Sequence, residues 1–374
     1  MTVWKKYVVT LCIYLSLFFL TGCVQQEEEP TERIGLDDQD AFPSVIAPSV
    51  QVAEQYYRGL HPFKPSQTRG TLYSSLANYR LDADRLELGL LEIAQEYVSI
   101  EDHLFREGQI IEPNELREWL RVESETNRLG LNPADLPQPV LLHILEHNYW
   151  DVKGEELKAI VIGLSLASTY EVERREGETA EKVTMRYTPD ELRNFGQVMA
   201  DKIAERIRLK VNSVPIIIAL YQLEEKNSLV PGNFLSVGYV EREQNYVSQW
   251  KTIDELYLLF PSNALTRFSQ ERSLSYARDF ADFKQEVQDF FPNYLGIIGL
   301  GRFIDEELVE LTLTVTTEFA SKTEVIQLTQ FLGATAIDLF PEHIQLNIYV
   351  QAINKPQAVF IRPAKGEAVM HVYR

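Results

Sequence analysis

The chain is poor in cysteine: only Cys12 and Cys23 occur in 374 residues. Cys12 lies inside the N-terminal apolar stretch and Cys23 ends it, so a form beginning at residue 23 can hold no internal disulfide. Such a chain must rest on its hydrophobic core. A content of 45% hydrophobic and 24% charged residues is ordinary for a packed domain, so that core is expected. Basic charge is also short, with 36 Lys and Arg against 55 Asp and Glu and a net charge of −19. No basic patch offsets the deficit, which excludes nucleic acid as a partner and disfavours anionic lipid surfaces. After the first two dozen residues no apolar run is long enough to span a bilayer.

What is present begins at the N-terminus. Lys5 and Lys6 precede a nearly unbroken apolar run, Tyr7 to Leu20, the length of a signal-peptide core and short for a membrane span. It ends Leu20-Thr21-Gly22-Cys23, which resembles the lipobox of bacterial lipoproteins, where the Cys thiol receives diacylglycerol before cleavage on its N-terminal side. Residues 1–22 thus read as a lipoprotein signal peptide and Cys23 as the lipid attachment site. The expected partners are the membrane, through that lipid, and the lipoprotein maturation enzymes. The expected location is the outer face of the cytoplasmic membrane. Loss of the two leader lysines takes the formal charge from −19 to −21.

Residues 23–50 read as an acidic flexible tether. Glu27, Glu28, Glu29, Glu32, Asp37, Asp38 and Asp40 face a lone Arg33, with prolines at 30, 43 and 48. Self-repulsion keeps such a stretch open, with ends roughly 30 Å apart as a coil. From Val52 the pattern is globular, and it contains a duplication. Glu155-Glu156-Leu157 opens an apolar strand, Thr188-Pro189-Asp190-Glu191 is a helix-starting capping box, and strands follow over 214–221 and 234–240. Downstream, Glu306-Glu307-Leu308 opens a strand, Ser321-Lys322-Thr323-Glu324 is a second capping box, and strands follow over 344–350, 358–361 and 368–373. The fold class is therefore α+β, with internally duplicated strand–helix–strand–strand units forming mixed sheets with helices packed on them. The first half spans 51–252, with an N-terminal cover and repeat 1, and the second spans 253–374. Ile160-Val161-Ile162 and Ile216-Ile217-Ile218 predict strands covered on both faces, whereas Leu311, Leu313 and Val315 alternating with threonines predict one wet face. A further helix is expected to open at Pro113.

Several strings resemble the CamS family of Gram-positive lipoproteins, the sex-pheromone precursors. They are Gln55-Tyr56-Tyr57-Arg58, Pro62-Phe63-Lys64-Pro65-Ser66, Thr68-Arg69-Gly70, His143-Ile144-Leu145-Glu146, Val214-Pro215-Ile216-Ile217-Ile218-Ala219-Leu220-Tyr221 and Val230-Pro231-Gly232-Asn233-Phe234. The resemblance implies that the cleaved leader is itself a product, trimmed to a short apolar peptide that in enterococci acts as a plasmid-transfer pheromone. The matching segment is Ser16-Leu17-Phe18-Phe19-Leu20-Thr21-Gly22. Leu17 to Leu20 keep the apolar character, while Thr21 and Gly22 depart from the family pattern. The other reading of Ser16–Gly22 is a plain signal-peptide core with cleavage-site residues.

The chemistry-bearing positions are few. His143 and His147 with Glu146 invite a zinc site, but the Glu is out of order for a metalloprotease helix and no third ligand is near, so a helix-end histidine pair packed with Tyr149 and Trp150 is expected. Ser165 in Gly163-Leu164-Ser165 lacks a following helix start and reads as a strand serine. Gly299-Leu300-Gly301 reads as a hairpin bend. Lys64 and Arg69, in a proline-bounded loop with Tyr57 and Arg58 upstream, are candidates for an anion, peptide or glycan site, with Asn233 at the same rim. Equally, Lys64 and Arg69 pair with carboxylates of the same fold. No catalytic residue, metal or cofactor is assigned, and the mature domain is expected to be non-enzymatic. The alternative is an extracytoplasmic binding lipoprotein for a small solute, peptide or cell-wall fragment. A hydrolase is the weakest reading, because no nucleophile–base pair or metal set can be assembled.

Overall fold

The computed structural model describes residues 56–71, 74–80, 82–176, 179–261, 270–291, 295–318, 321–352 and 355–374. The leader Ser16–Gly22, the lipobox, Cys23 and the acidic tether all lie outside the described residues. Val45–Arg374 forms one compact unit. Its first part runs β1 (Arg58–Gly59), β2 (Tyr79–Arg80), α1 (Ala83–Gln95), β3 (His103–Glu107), α2 (Pro113–Trp119), β4 (Leu141–Asp151), β5 (Leu157–Ala167), β6 (Thr169–Glu176), β7 (Thr179–Arg186), α3 (Pro189–Arg208), β8 (Ile216–Glu225), β9 (Asn233–Val240) and β10 (Gln249–Thr252). The second part runs β11 (Glu255–Phe260), α4 (Gln270–Phe290), β12 (Leu295–Ile304), β13 (Glu307–Thr317), α5 (Lys322–Leu339), β14 (Gln345–Ala352), β15 (Lys355–Arg362) and β16 (Val369–Val372). No helix among the described residues is long and apolar enough to cross a membrane.

Two mixed sheets result. One has the order β1-β3-β4-β5-β8-β9-β10, with β2 also on β8, and the other the order β11-β12-β13-β14-β15-β16. The duplication is larger than its sequence landmarks. The path β3–α2–β4–β5–α3–β8–β9–β10 and the path β11–α4–β12–β13–α5–β14–β15–β16 share every pairing sense. Each has one parallel pair, β5 with β8 or β13 with β14, bridged by its capped helix, and antiparallel neighbours on either side. The β6–β7 hairpin is an insertion in the first copy.

Each capped helix follows from its sequence. Thr188 accepts from Glu191 N–H while the Glu191 carboxylate accepts from Thr188 N–H, and Ser321 and Glu324 repeat the arrangement. α3 buries Leu192, Met199, Ile203 and Ile207 against Ile160, Ile162 and Ile218. On the opposite face of the same strands, Leu86 and Leu90 of α1 pack with Val161, Ile217 and Ala219. The continuous apolar runs are therefore covered on both sides, with α1 as part of the cover. In β13 Leu311, Leu313 and Val315 are buried, with Leu308 and Thr317 toward the strand ends, and the threonines between them, Thr312 and Thr314, are half-exposed.

Two expectations are corrected. His143 and His147 lie on strand β4, not at a helix end. A spacing of four keeps two side chains on one face of a strand as well as of a helix, so the spacing alone did not discriminate. Gly299-Leu300-Gly301 is interior to β12, not a bend. A Cβ on Gly301 would stand 2.8 Å from Phe260 Cε2, so the glycine makes room for the aromatic cluster of Phe260, Phe280 and Phe303. The helix opened by Pro113 ends at Trp119.

Candidate functional site

The sequence-nominated residues do not form one site. Tyr57 is buried, donates its hydroxyl to Val98 O at 2.6 Å and meets the Tyr149 ring edge-on at 4.8 Å. Burial raises its pKa. Arg58 donates to Glu101 O at 3.1 Å. Arg69 forms an ion pair with Glu107, whose other oxygen accepts from Ser66 N–H at 2.7 Å. Lys64 is exposed and its carbonyl accepts from Gln109 Nε2 at 3.4 Å. The loop thus ties itself to β3 and its exit, with Arg69 paired inside the fold. Asn233 lines a cleft to which Arg69 and Lys64 contribute nothing.

The motif His143-Ile144-Leu145-Glu146 has a structural task. The buried Glu146 carboxylate accepts backbone N–H bonds from Gln109, Ile110 and Ile111 and one from Asn148 Nδ2, which fixes the chain after β3. Burial pushes its pKa up, while these four donors oppose the shift. His143 and His147 are held neutral because burial lowers their pKa values to about 4 and about 3. No group of three metal-ligating side chains occurs among the described residues.

The densest charge chemistry lies where the two sheets meet. β10 follows β9 as far as Thr252 opposite Ser236, and after Ile253 and Asp254 the chain becomes β11 at the edge of the second sheet. At the crossover Ile253 N–H donates to Leu235 O at 3.0 Å. Just beyond it sits Glu255, its side chain 1% exposed. One oxygen accepts from Arg85 Nη2 at 2.6 Å and Arg302 Nε at 2.7 Å, and the other from Phe234 N–H at 2.7 Å. Glu92 closes the circuit, 2.9 Å from Arg302 and 3.3 Å from Arg85. The Arg85 guanidinium also lies over the rings of Phe234 and Tyr257, at 5.2 and 5.8 Å. Burial works against its charge, but Glu255, Tyr257 and Glu92 outweigh it and hold its pKa above the ordinary value.

Two clefts open on either side of this cluster. The smaller, ≈ 400 Å³, lies over α1 and is lined by Arg85, Glu92, Phe234, Lys251, Arg302 and Glu310, among others. The Glu310 pKa is raised by burial, and its carboxyl accepts from Asn347 Nδ2 at 2.7 Å. The larger, ≈ 660 Å³, lies toward the start of α3. Its walls are Arg186, Tyr187, Arg193, Gln222, Glu224, Asn233 and Leu235 on one side and every residue from Ile253 to Leu259 on the other. Arg186 is bound to Glu224 and Glu225, and Arg193 to Asp190 at 2.6 Å and to Leu235 O at 3.3 Å. Tyr187 is 6% exposed, its pKa is pushed up to about 12 by burial, and its buried hydroxyl finds no partner among the described residues. Of the sequence-nominated residues only Asn233 belongs here. Arg85, Glu255 and Arg302 were missed because they are 47 or more positions apart in the chain, and only the β10–β11 crossover brings them together.

A family model described as the CamS sex pheromone cAM373 precursor matches residues 63–368. A solved structure of a sex pheromone precursor from Lactobacillus salivarius subsp. salivarius UCC118 is 25% identical, with a TM-score of 0.74, covering 87% of this chain and 98% of that one. The C-terminal domain of the sex pheromone staph-cAM373 precursor from Staphylococcus aureus is 22% identical, with a TM-score of 0.66, covering 78% of this chain and 96% of that one. Curated protein sequences give no match.

Proposed function

The chain belongs to the CamS sex pheromone precursor family, and from that premise we propose that it is a lipid-anchored surface protein with a non-enzymatic folded unit. The observation that carries the reading is the junction Leu20-Thr21-Gly22-Cys23 directly after an apolar run and before an acidic stretch. Cleavage there leaves Cys23 as the first residue, with its thiol as the only cysteine sulfur in the remaining chain. Diacylglycerol on that thiol anchors the protein at the outer face of the cytoplasmic membrane, and the tether holds an acidic domain off anionic headgroups. The same cut frees the leader, and trimming before Ser16 then leaves its C-terminal end, Ser16–Gly22, as an apolar signalling peptide.

The charges at the sheet junction support a non-enzymatic folded unit. Glu255, Arg85 and Arg302 are locked to one another, whereas an acid–base catalyst needs a group poised to exchange a proton with substrate. A Cys23→Ser variant is the test: the wild-type chain partitions with membranes, and the variant stays at precursor length or leaves the cell surface. Unchanged membrane association and processing in the variant would remove the anchor. The cleft of ≈ 660 Å³ favours a second reading, a binding lipoprotein for a small solute, peptide or cell-wall fragment, since pockets of that size suit such ligands.

A further inference from the structure

The larger cleft has a wall of unusual chemistry, the outer edge of a strand. β11 pairs with β12 and has no second neighbour among the described residues. Its pairing phase is set at its start. Asp254 turns its carbonyl toward β12, accepting from Asp305 N–H, while Ile253 turns its N–H the other way, to Leu235. Along an antiparallel strand this sense alternates. Leu256 and Leu258 therefore bond to Phe303 and Gly301, and the N–H and C=O groups of Tyr257 and Leu259 point away from the sheet. Neither residue has a backbone partner on that side among the described residues. Tyr257 is only 8% exposed, and the cleft lining follows the strand from Ile253 to Leu259.

We propose that the cleft beside β11 binds an extended peptide of four to five residues, roughly as many as the strand wall from Glu255 to Leu259 can pair, by adding it as a further strand of the second sheet. This rests on the binding reading of the cleft and names its ligand class. The occupant follows from the wall. A row of alternating donors and acceptors at strand spacing is complemented by another extended backbone, and a sugar or compact solute matches it at one point only. Glu255 to Leu259 spans about 13 Å at a rise of about 3.3 Å per residue, enough for that length. The facing wall supplies the side-chain contacts. Leu235 and the buried Tyr187, whose hydroxyl has no partner among the described residues, offer an apolar surface with one donor, and Gln222 and Asn233 offer amides. Arg186 and Arg193 are already paired with Glu224 and Asp190, and Asp254 and Glu306 add only carboxylates to the lining, so no free cation is left among the described lining residues to select an acidic peptide, and shape and backbone dominate. Its side chains alternate between apolar and polar, matching the strand period of two.

The test uses the full-length chain in detergent and a pool of end-blocked pentapeptides in which Val or Leu alternates with Thr or Asn. Hydrogen exchange at the amides of Tyr257 and Leu259 slows when the peptides are added. N-methylation of one alternate set of peptide residues weakens binding by about tenfold or more, and methylation of the other set leaves it unchanged. Because the protein is wild type throughout, no folding defect can mimic the result. Absence of protection at Tyr257 and Leu259, or equal sensitivity to both methylation patterns, overturns the inference. So does protection that appears with rising protein concentration alone, which would assign the edge to a second copy. A muropeptide disaccharide that binds without protecting β11 would keep the binding reading and remove the peptide. Binding of neither probe would remove both.

Discussion

Glu255 is the residue on which the junction of the two sheets turns. Its side chain is almost fully buried and serves two guanidiniums and a backbone N–H at once, from α1, β12 and β9. Glu255→Gln keeps the shape but leaves Arg85 and Arg302 facing each other with Glu92 alone to compensate. Removing one member of a buried ionic group costs about 3 kcal/mol or more, so the urea midpoint should fall by that equivalent, and an unchanged midpoint would contradict the assigned role. His147 sets a pH dependence. Its pKa is depressed from 6.5 in the unfolded chain to about 3 in the fold by burial. The unfolded state therefore binds the proton first as pH falls. The contribution is complete above about pH 6.5 and is lost progressively down to the folded value. Between pH 6.5 and 5 this amounts to about 2 kcal/mol, read as the difference in unfolding free energy between wild type and His147→Gln at the two pH values. Parallel curves for the two proteins would contradict it. His143, lowered to about 4, adds in the same direction.

At the scale of elements, α1 must approach β9 closely for Arg85 to reach Glu255. Gly89 permits this: a Cβ there would stand 2.2 Å from Phe234 Cε2, in a ring only 2% exposed. Gly89→Ala gains about 1 kcal/mol in helix propensity and loses about 1–3 kcal/mol to overpacking against a ring that cannot yield. The expected outcome is a net loss of thermal stability, and a gain would show that the α1–β9 contact is looser than described. Elements with strong local signals were legible. The boxes at Thr188 and Ser321 fixed two helix starts, and the unbroken and alternating runs of β5 and β13 foretold covered and open sheet faces. What escaped lacked a local signature. β4 was read as helical from a spacing of four, and the glycines of β12 suggested a turn because two of the aromatic side chains they accommodate, Phe260 and Phe280, are distant in sequence. α4 carries Phe280, Phe283 and Val287 at helical spacing, yet it was passed over within a polar, charged stretch.

At the scale of the whole molecule, the duplicated sheets are joined by one extended stretch that leaves the first as β10, passes Ile253 and Asp254, and enters the second as β11. The clefts exist because that stretch diverges from β9 after Ile253. No stretch of sequence carries that divergence, which is why Asn233 was found and its neighbours Arg193, Glu255 and Tyr257 were not. The leader is the opposite case: its meaning lies wholly in local order, a basic start, an apolar run and a cysteine. The proposed function makes the protein a folded unit displayed by a lipid on Cys23 after release of the segment before it. The measurement that tests this most directly is mass spectrometry of the N-terminal peptide of the mature protein from purified membranes. The account predicts a first residue of Cys23 carrying a thioether-linked diacylglycerol, with a fragment ending at Gly22 in the culture fluid. A mature chain that starts elsewhere, or that keeps a free Cys23 thiol, would contradict it.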